Sequence, residues 1–256
     1  MFSLQNKVTI VTGAASGIGA AIAESFARAG ALVYVADCNE AAGEAVVRQI
    51  EQQGGQAKLA VADIAKEADC QGLAQRVLIE NGNRCDVLVN NAGVGHVGSI
   101  LTTEPAELER LWQINVKGMY FLSRAILPAM IERRAGSIIN LASVAGVMGM
   151  EARFAYTVTK HAVVGMTRAM AMDHGQTGVR INCICPGRTQ TPFVQARLQE
   201  YPNPEEYLKQ MVAPHALKRL AQPWEIAAAA VYLASDEAAF VTGSAMVVDG
   251  GYMAGK

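Results

Sequence analysis

The sequence predicts an α/β chain built as a single doubly wound parallel sheet of about seven strands with helices on both faces. Two observations carry this expectation. Short, nearly all-apolar runs recur along the 256 residues, the pattern of strands covered on both sides. The segments between them are long enough to cross over as helices, and right-handed crossovers between parallel strands wind such a sheet from its middle outwards. No internal repeat, low-complexity run or linker interrupts the pattern, so one domain is expected over residues 1–256.

The strand candidates are KVTIVT at 7–12, ALVYVAD at 31–37, QAKLAVAD at 56–63 and CDVLVN at 85–90. GSIINLAS at 136–143, VRINCIC at 179–185 and SAMVVD at 244–249 complete the set. AAIAESFARAG follows the first run and EAAGEAVVRQIEQQG the second, each suited to a crossover helix. Residues 186–212 depart from the pattern, with four prolines and little strand character. Thr191 is placed to cap a short helix that has Pro192 at its first position. An irregular insert beyond a strand's C-terminal end is where α/β proteins place a lid, so a substrate lid is expected around 188–212.

Bulk composition narrows the function classes. Hydrophobic residues make up 51% and charged residues 18%, which describes a packed globular chain. The net charge of -1 offers no footprint for nucleic acid or an anionic membrane. The start, MFSLQNKVTIVTG, lacks the basic stretch and apolar run of a signal peptide. No apolar run reaches about 18 residues, so no membrane span is expected. The five cysteines, Cys38, Cys70, Cys85, Cys183 and Cys185, are odd in number and scattered. They suggest neither a disulfide framework nor a metal site, and they fit a reducing, cytoplasmic compartment. Cys183 and Cys185 alternate in an apolar run and are expected to pack as small hydrophobes on one face.

TGAASGIG at 12–19 follows the first strand and opens the first helix. Gly13, Gly17 and Gly19 let the backbone turn tightly and approach a pyrophosphate at the helix N-terminus. Asp37, ending the second strand, would accept hydrogen bonds from ribose hydroxyls and repel a 2′-phosphate. Neither Ser16 nor Cys38 supplies a cation for such a phosphate, so NAD is expected rather than NADP. Asp63 either meets the adenine edge or caps the helix before AKEADCQGL. Further along, Tyr156 and Lys160 stand one helical turn apart. A free tyrosine has a pKa near 10, and a neighbouring ammonium favours its phenolate. Arg153 lies three residues before Tyr156, as a surface cation or as part of the same site.

The glycine spacing, NNAG at 90–93, Asn115, Ser143, Tyr156 with Lys160, PG at 186–187 and VTGSAMVVDGGY together resemble the short-chain dehydrogenase/reductase family. The resemblance implies a Rossmann-type fold, an oxidoreductase acting with NAD, and commonly a homotetramer. It implies that Tyr156 takes the proton of a substrate alcohol while Ser143 hydrogen-bonds the same oxygen. Lys160 would also hold the nicotinamide ribose, and Asn115 matches the residue that holds a water in a proton relay. Asn90 through its side chain, with Ala92 and Gly93 through backbone, would line the cofactor. Ile18 would pack under the nicotinamide side of the glycine loop, Pro186 and Gly187 would contact the cofactor, and its carboxamide would meet backbone near Arg188 and the hydroxyl of Thr191. Taken singly, Ser143 also reads as a helix cap, Asn115 as a core amide and Tyr156 as an interface aromatic.

EARFAY, TPFVQAR followed by NPEE, and His96 after NNAG resemble two branches of that family. These are the cytosolic type 2 3-hydroxybutyrate dehydrogenases and the bacterial 2-keto-3-deoxy-L-fuconate dehydrogenases. Arg153 and Arg197 match arginines that bind the substrate carboxylate there. A third basic contact of that pattern has no clear equivalent, since Lys209 and Gln210 fall at its place. Arg188 and Gln190 are positioned for a polyhydroxylated substrate, with an exposed loop cation as the other reading of Arg188. His96 reads as a substrate contact or a polar pocket corner, and Met148 and Met150 as apolar wall. The expected function is oxidation of a small hydroxy acid, foremost the 4-hydroxyl of 2-keto-3-deoxy-L-fuconate. The alternatives are 3-hydroxybutyrate oxidation, reduction of a 3-oxoacyl-carrier-protein thioester, and a non-catalytic NAD-sensing protein. The expected partner is a small acidic molecule, with no nucleic acid and no membrane.

Overall fold

A computed structural model describes residues 2–199 and 202–255, with the side chains at 193, 196 and 197 outside the description. The chain alternates strand and helix. It runs β1 (Val8–Thr12), α1 (Gly17–Arg28), β2 (Leu32–Asp37), α2 (Glu40–Gln52), β3 (Gln56–Val61) and α3 (Glu67–Glu80). β4 (Val87–Asn90) is followed by α4 (Pro105–Trp112), a π-helical turn at Gln113–Lys117 and α5 (Gly118–Glu132). Then come β5 (Gly136–Leu141), α6 (Phe154–His174), β6 (Val179–Pro186), α7 (Pro192–Leu198), α8 (Pro204–Val212), α9 (Pro223–Ala234) and β7 (Ala245–Val248).

The seven strands form one sheet in the order β3-β2-β1-β4-β5-β6-β7, with every pairing parallel. This is the Rossmann-type arrangement. Side-chain alternation explains why the strands read as continuous apolar runs. Val11, Val33, Val35 and Val89 face the layer holding Ile22 and Phe26 of α1 and Ile226 and Leu233 of α9. Ile10, Tyr34 and Leu88 face the layer holding Leu73 and Val77 of α3 and Leu122 and Ile126 of α5. Each fully buried Ile or Phe contributes about 1.5–3 kcal/mol relative to exposure.

Three strand ends fall two residues short of the sequence expectation. β4 starts at Val87, and at Asp86 the carboxylate accepts Val8 N–H at 2.7 Å while the backbone still bonds Val8 O and Ser137 N–H. β3 stops at Val61, after which Ala62 N–H makes a last bond to Asp37 O at 3.1 Å. β5 stops at Leu141 because Ser143 turns to cap the 3₁₀ turn Val144–Gly146, accepting Ala145 N–H at 3.1 Å.

Because β1 pairs with both β2 and β4, the winding reverses between β1 and β4. A crevice opens there at the strands' carboxyl ends, the general ligand position of open α/β sheets. The insert closes over it. Thr191 accepts Val194 N–H at 3.3 Å to start α7 at Pro192, and Asn203 accepts Glu206 N–H at 3.2 Å to start α8. Gln190 N–H to Ala221 O at 2.8 Å and Ala221 N–H to Arg188 O at 2.9 Å pin the insert's two ends together. No described helix is long and apolar enough to cross a membrane.

Candidate active site

A cleft of about 550 Å³ lies in that crevice, and most of the residues singled out by sequence line it. At its nucleotide end the glycine loop is as close to its neighbours as backbone permits. Gly13 has φ +62°, and a Cβ there would sit 2.7 Å from Ala92 Cα. A Cβ on Gly19 would run into the Gly13 carbonyl and the Asn91 amide. Ser16 is the extended N-cap of α1, its hydroxyl makes no cap bond, and no acidic residue occupies the first turn. The helix N-terminus therefore keeps its N–H groups and dipole for an anion. Gly17 and Ile18 complete the lining, with Ile18 also packed on the core beneath.

Asp37 is fixed by two backbone donors, Ala15 N–H at 3.0 Å and Asn39 N–H at 2.9 Å. Asp63 also faces the cleft and closes a tight turn, accepting Ala65 N–H at 3.0 Å, with Lys66 at 3.4 Å. It does not cap the following helix, because α3 begins only at Glu67 with Lys66 at the cap position. The cradle thus fits a pyrophosphate and the carboxylate a ribose diol, as a dinucleotide requires.

One cofactor expectation is corrected. The Asn90 side chain does not reach the cleft. It is buried and donates to Ser123 Oγ at 3.0 Å and Asn140 Oδ1 at 2.9 Å, tying β4 to α5 and β5. Its neighbour Asn91, which sequence reasoning missed, lines the cleft. Asn91 Nδ2 donates to the carbonyls of Thr12 at 2.9 Å and Gly13 at 3.1 Å, and its N–H bonds Thr12 Oγ1 at 3.0 Å. The two asparagines point to opposite faces of one strand end, and the signal was that alternation. Ala92, Gly93, Pro186, Gly187 and Thr191 all line the cleft.

At the other end, α6 brings Tyr156 and Lys160 to the same wall as Ser143. Ser143 caps its own turn, as the cap reading expected, and its hydroxyl also lies within hydrogen-bonding influence of Tyr156. Burial pushes the Tyr156 phenol above its ordinary value, while the Ser143 hydrogen bond and the Arg153 charge pull it down. Lys160 Nζ lies 5.6 Å from the Tyr156 ring centroid and donates to the Leu141 carbonyl at 2.7 Å. Burial draws its own pKa down from 10.5 to about 8. The Ser143 hydrogen bond and then the Arg153 charge are thus what offsets burial at the Tyr156 phenol.

Asn115 sits in the π-helical turn and is fully buried. Its Oδ1 accepts Val94 N–H at 2.8 Å, and its Nδ2 donates to Val94 O at 2.9 Å and Thr159 Oγ1 at 3.2 Å. The side chain therefore clasps the loop after β4 to the catalytic helix. Gly93 comes so close that a Cβ would stand 3.2 Å from Asn115 Oδ1. Cys183 and Cys185 are fully buried behind this wall, packed with Val163 and Val164.

Arg153, at the N-cap of α6, lines the cleft. Ala152 before it is a non-glycine with φ +52°, a conformation that persists only where surrounding contacts hold it. Those contacts are Gly98 N–H to Ala152 O and Phe154 N–H to Gly98 O, both 3.0 Å. His96 lines the facing wall, with its Nδ1 buried and lacking a partner among the described residues. Arg188 lines the cleft as well, with its Nε in the same condition. Gln190 is a second correction. It is exposed, outside the cleft lining, and accepts from Gln222 Nε2 at 2.7 Å, since its backbone bond to Ala221 turns it outward. The Arg197 side chain lies outside the described residues. Met150 forms wall as expected, whereas Met148 does not line the cleft. Among the described residues no His, Cys, Asp or Glu cluster is suited to a metal.

A family model described as enoyl-(acyl carrier protein) reductase matches residues 13–253. The chain is 40% identical over 253 residues to the rat protein named dehydrogenase/reductase SDR family member 6, covering 98% of this chain and 99% of the relative. It is 43% identical over 258 residues to a 2,5-dichloro-2,5-cyclohexadiene-1,4-diol dehydrogenase of Sphingobium indicum, covering 99% and 100%. A Beutenbergia cavernae structure, assigned provisionally as an NAD(P)-dependent gluconate 5-dehydrogenase with NADP at low occupancy, superposes with a TM-score of 0.92. It is 35% identical to this chain, with 99% of each chain covered.

Proposed function

The chain belongs to the short-chain dehydrogenase/reductase family, and on that premise we propose that it is an NAD-dependent dehydrogenase of a small hydroxy acid. The leading substrate is a deoxy sugar acid oxidised at its 4-hydroxyl, 2-keto-3-deoxy-L-fuconate or a close analogue. The observation that carries this reading is Arg153, rigidly placed on the cleft wall and near enough to Tyr156 to influence its ionisation. A guanidinium there matches a carboxylate in two-point geometry. The provisional gluconate assignment of the Beutenbergia relative supports a sugar acid.

The rivals fit less well. A neutral diol, as named for the Sphingobium relative, gives the arginine no anion. A carrier-protein thioester has no free carboxylate at that position. 3-Hydroxybutyrate satisfies Arg153 but lacks the further oxygen that His96 Nδ1 awaits.

Tyr156 receives the substrate hydroxyl proton, and Ser143 donates a hydrogen bond to the same oxygen as it becomes a carbonyl. When bound, the nicotinamide supplies the acceptor for the hydride that leaves the carbinol carbon. Gly13, Ser16 and the N-terminus of α1 would hold its pyrophosphate, and Asp37 its adenosine ribose. Arg153 and Ser143 lower the cost of the Tyr156 phenolate, offsetting burial. Lys160 adds positive charge over the tyrosine ring only while protonated, so its help fades as pH rises through about 8.

The test is NADH formation by the purified protein over a panel of deoxy sugar acids, 3-hydroxybutyrate and uncharged analogues. Acids are expected to be preferred, and Tyr156→Phe to lose about 10²–10⁴-fold in turnover while still binding NAD. Equal oxidation of uncharged alcohols would sink the hydroxy-acid reading. Full activity in Tyr156→Phe would sink the catalytic assignment.

A further inference from the structure

We infer that Arg188 is the second arginine of the carboxylate site, and that the substrate's acid group lies in an outer hollow between Arg153 and Arg188. The inference rests on the hydroxy-acid reading above and names the part of the site that enforces it.

The hollow has a volume of about 210 Å³ and adjoins the main cleft. Arg153, Arg188 and Met150 line both spaces, so the two arginines stand at the passage between them. Tyr207 of α8 lines the hollow from the insert. Arg188 is held there by its backbone, because its carbonyl accepts Ala221 N–H at 2.9 Å and Thr189 bridges to Ala221. The side chain is not satisfied in the same way. Arg188 Nε is buried, with no acceptor among the described residues, and the arginine makes no ion pair with any of them. Glu151 is the carboxylate on the hollow's rim, and it is exposed and makes no ion pair with a described residue either.

A buried guanidinium N–H without an acceptor is uncommon and marks a place where an acceptor is expected. A carboxylate supplies that acceptor for Arg188 Nε, and its second oxygen is left for another donor at the same hollow. Placing it there also sets the substrate's length. Tyr156 and Ser143 line the main cleft alone, whereas Arg153 and Arg188 border the hollow as well. The acid and the reacting hydroxyl therefore occupy different chambers. The substrate class is a chain acid whose oxidised carbon is remote from the carboxyl carbon, and 2-hydroxy acids are disfavoured.

The experiment compares Arg188→Gln and Arg153→Gln with the native enzyme, using 2-keto-3-deoxy-L-fuconate and its carboxamide. NAD affinity measured by titration serves as the folding control. Arg188→Gln is expected to raise KM for the acid by about 10–100-fold, the loss of a charge-assisted hydrogen bond. The loss should fall on KM more than on kcat and should be far smaller for the carboxamide. Arg188→Lys, which keeps the charge but not the fork, should recover part of it. If Arg153→Gln loses the acid and Arg188→Gln does not, the inference fails and the hydroxy-acid reading stands. If neither variant distinguishes acid from carboxamide, both fail.

Discussion

Replacing Asp37 is expected to erase most of the preference for NAD over NADP that we propose. The carboxylate cannot swing aside, because Ala15 N–H and Asn39 N–H hold one oxygen each. A 2′-phosphate on the ribose that Asp37 binds would lie roughly 4 Å away. Two unit charges at that distance repel by about 1 kcal/mol in water and about 4 kcal/mol at an effective dielectric near 20. Asp37 is partly exposed, so the cost falls between these limits, about 2–3 kcal/mol, or about 30–150-fold. Asp63 adds a second negative charge at this end, and Lys66 at 3.4 Å cancels part of it. Steady-state kcat/KM with each cofactor is the assay, for native enzyme, Asp37→Ala and Asp37→Asn. The asparagine removes the charge while keeping an acceptor for one backbone amide, so it separates repulsion from anchoring. Both variants should lower the NAD-to-NADP ratio by one to two orders of magnitude, about the range just worked out. A native enzyme indifferent to the phosphate, or a ratio unchanged in both variants, would refute the reasoning.

Lys160→Met should be inactive yet more stable than the native chain near neutral pH, by on the order of a few kcal/mol. Lys160 titrates at about 8 when folded against 10.5 as a free group. Below about 8 folding must bury its charge, and between those values folding releases a proton, so native stability rises with pH and the gap to the variant closes. Thermal melts over that range check it, and a variant less stable at neutral pH would count against it. Arg153→Gln should move the acidic limb of kcat/KM for an uncharged alcohol to higher pH, because Tyr156 loses a charge that holds it down. An unmoved limb would show that Arg153 does not act on the tyrosine.

Sheet and helices were readable because the inner strands are covered on both faces and announced themselves as apolar runs, while the edge strand β3 shows the alternation of a half-exposed strand. Strand ends were not, because they are set by tertiary partners. Asp86 is drawn to Val8 N–H and Ser143 to its 3₁₀ turn, and neither contact is visible in a propensity. At the site, Tyr156, Lys160, Ser143 and the glycines fall where their spacing placed them, since local helix and turn geometry fixes them. Asn90 was misassigned and Asn91 passed over because the register of a strand end decides which of two adjacent amides faces in, and the Ser123 and Asn140 partners fix that register. The π-helical turn that aims Asn115 at Val94 and Thr159 leaves no mark in the sequence QINVK. Gln190 and Arg188 are two residues apart in one loop, yet pairing with Ala221 turns the glutamine outward, while the arginine faces the cleft.

The same charge serves recognition and proton transfer, and this gives the second arginine a purpose beyond affinity. Arg153 draws the Tyr156 phenol down, towards the form that accepts a proton. A carboxylate bound to Arg153 alone would neutralise that charge, leaving burial to push the phenol back up at the moment the substrate is in place. With Arg188 sharing the carboxylate, two cations meet one anion, and a net positive charge remains beside the cleft. Tyr156 then keeps its support in the loaded site. A lone arginine would set tight binding of the acid against the basicity needed to oxidise it, and the paired arrangement relaxes that conflict.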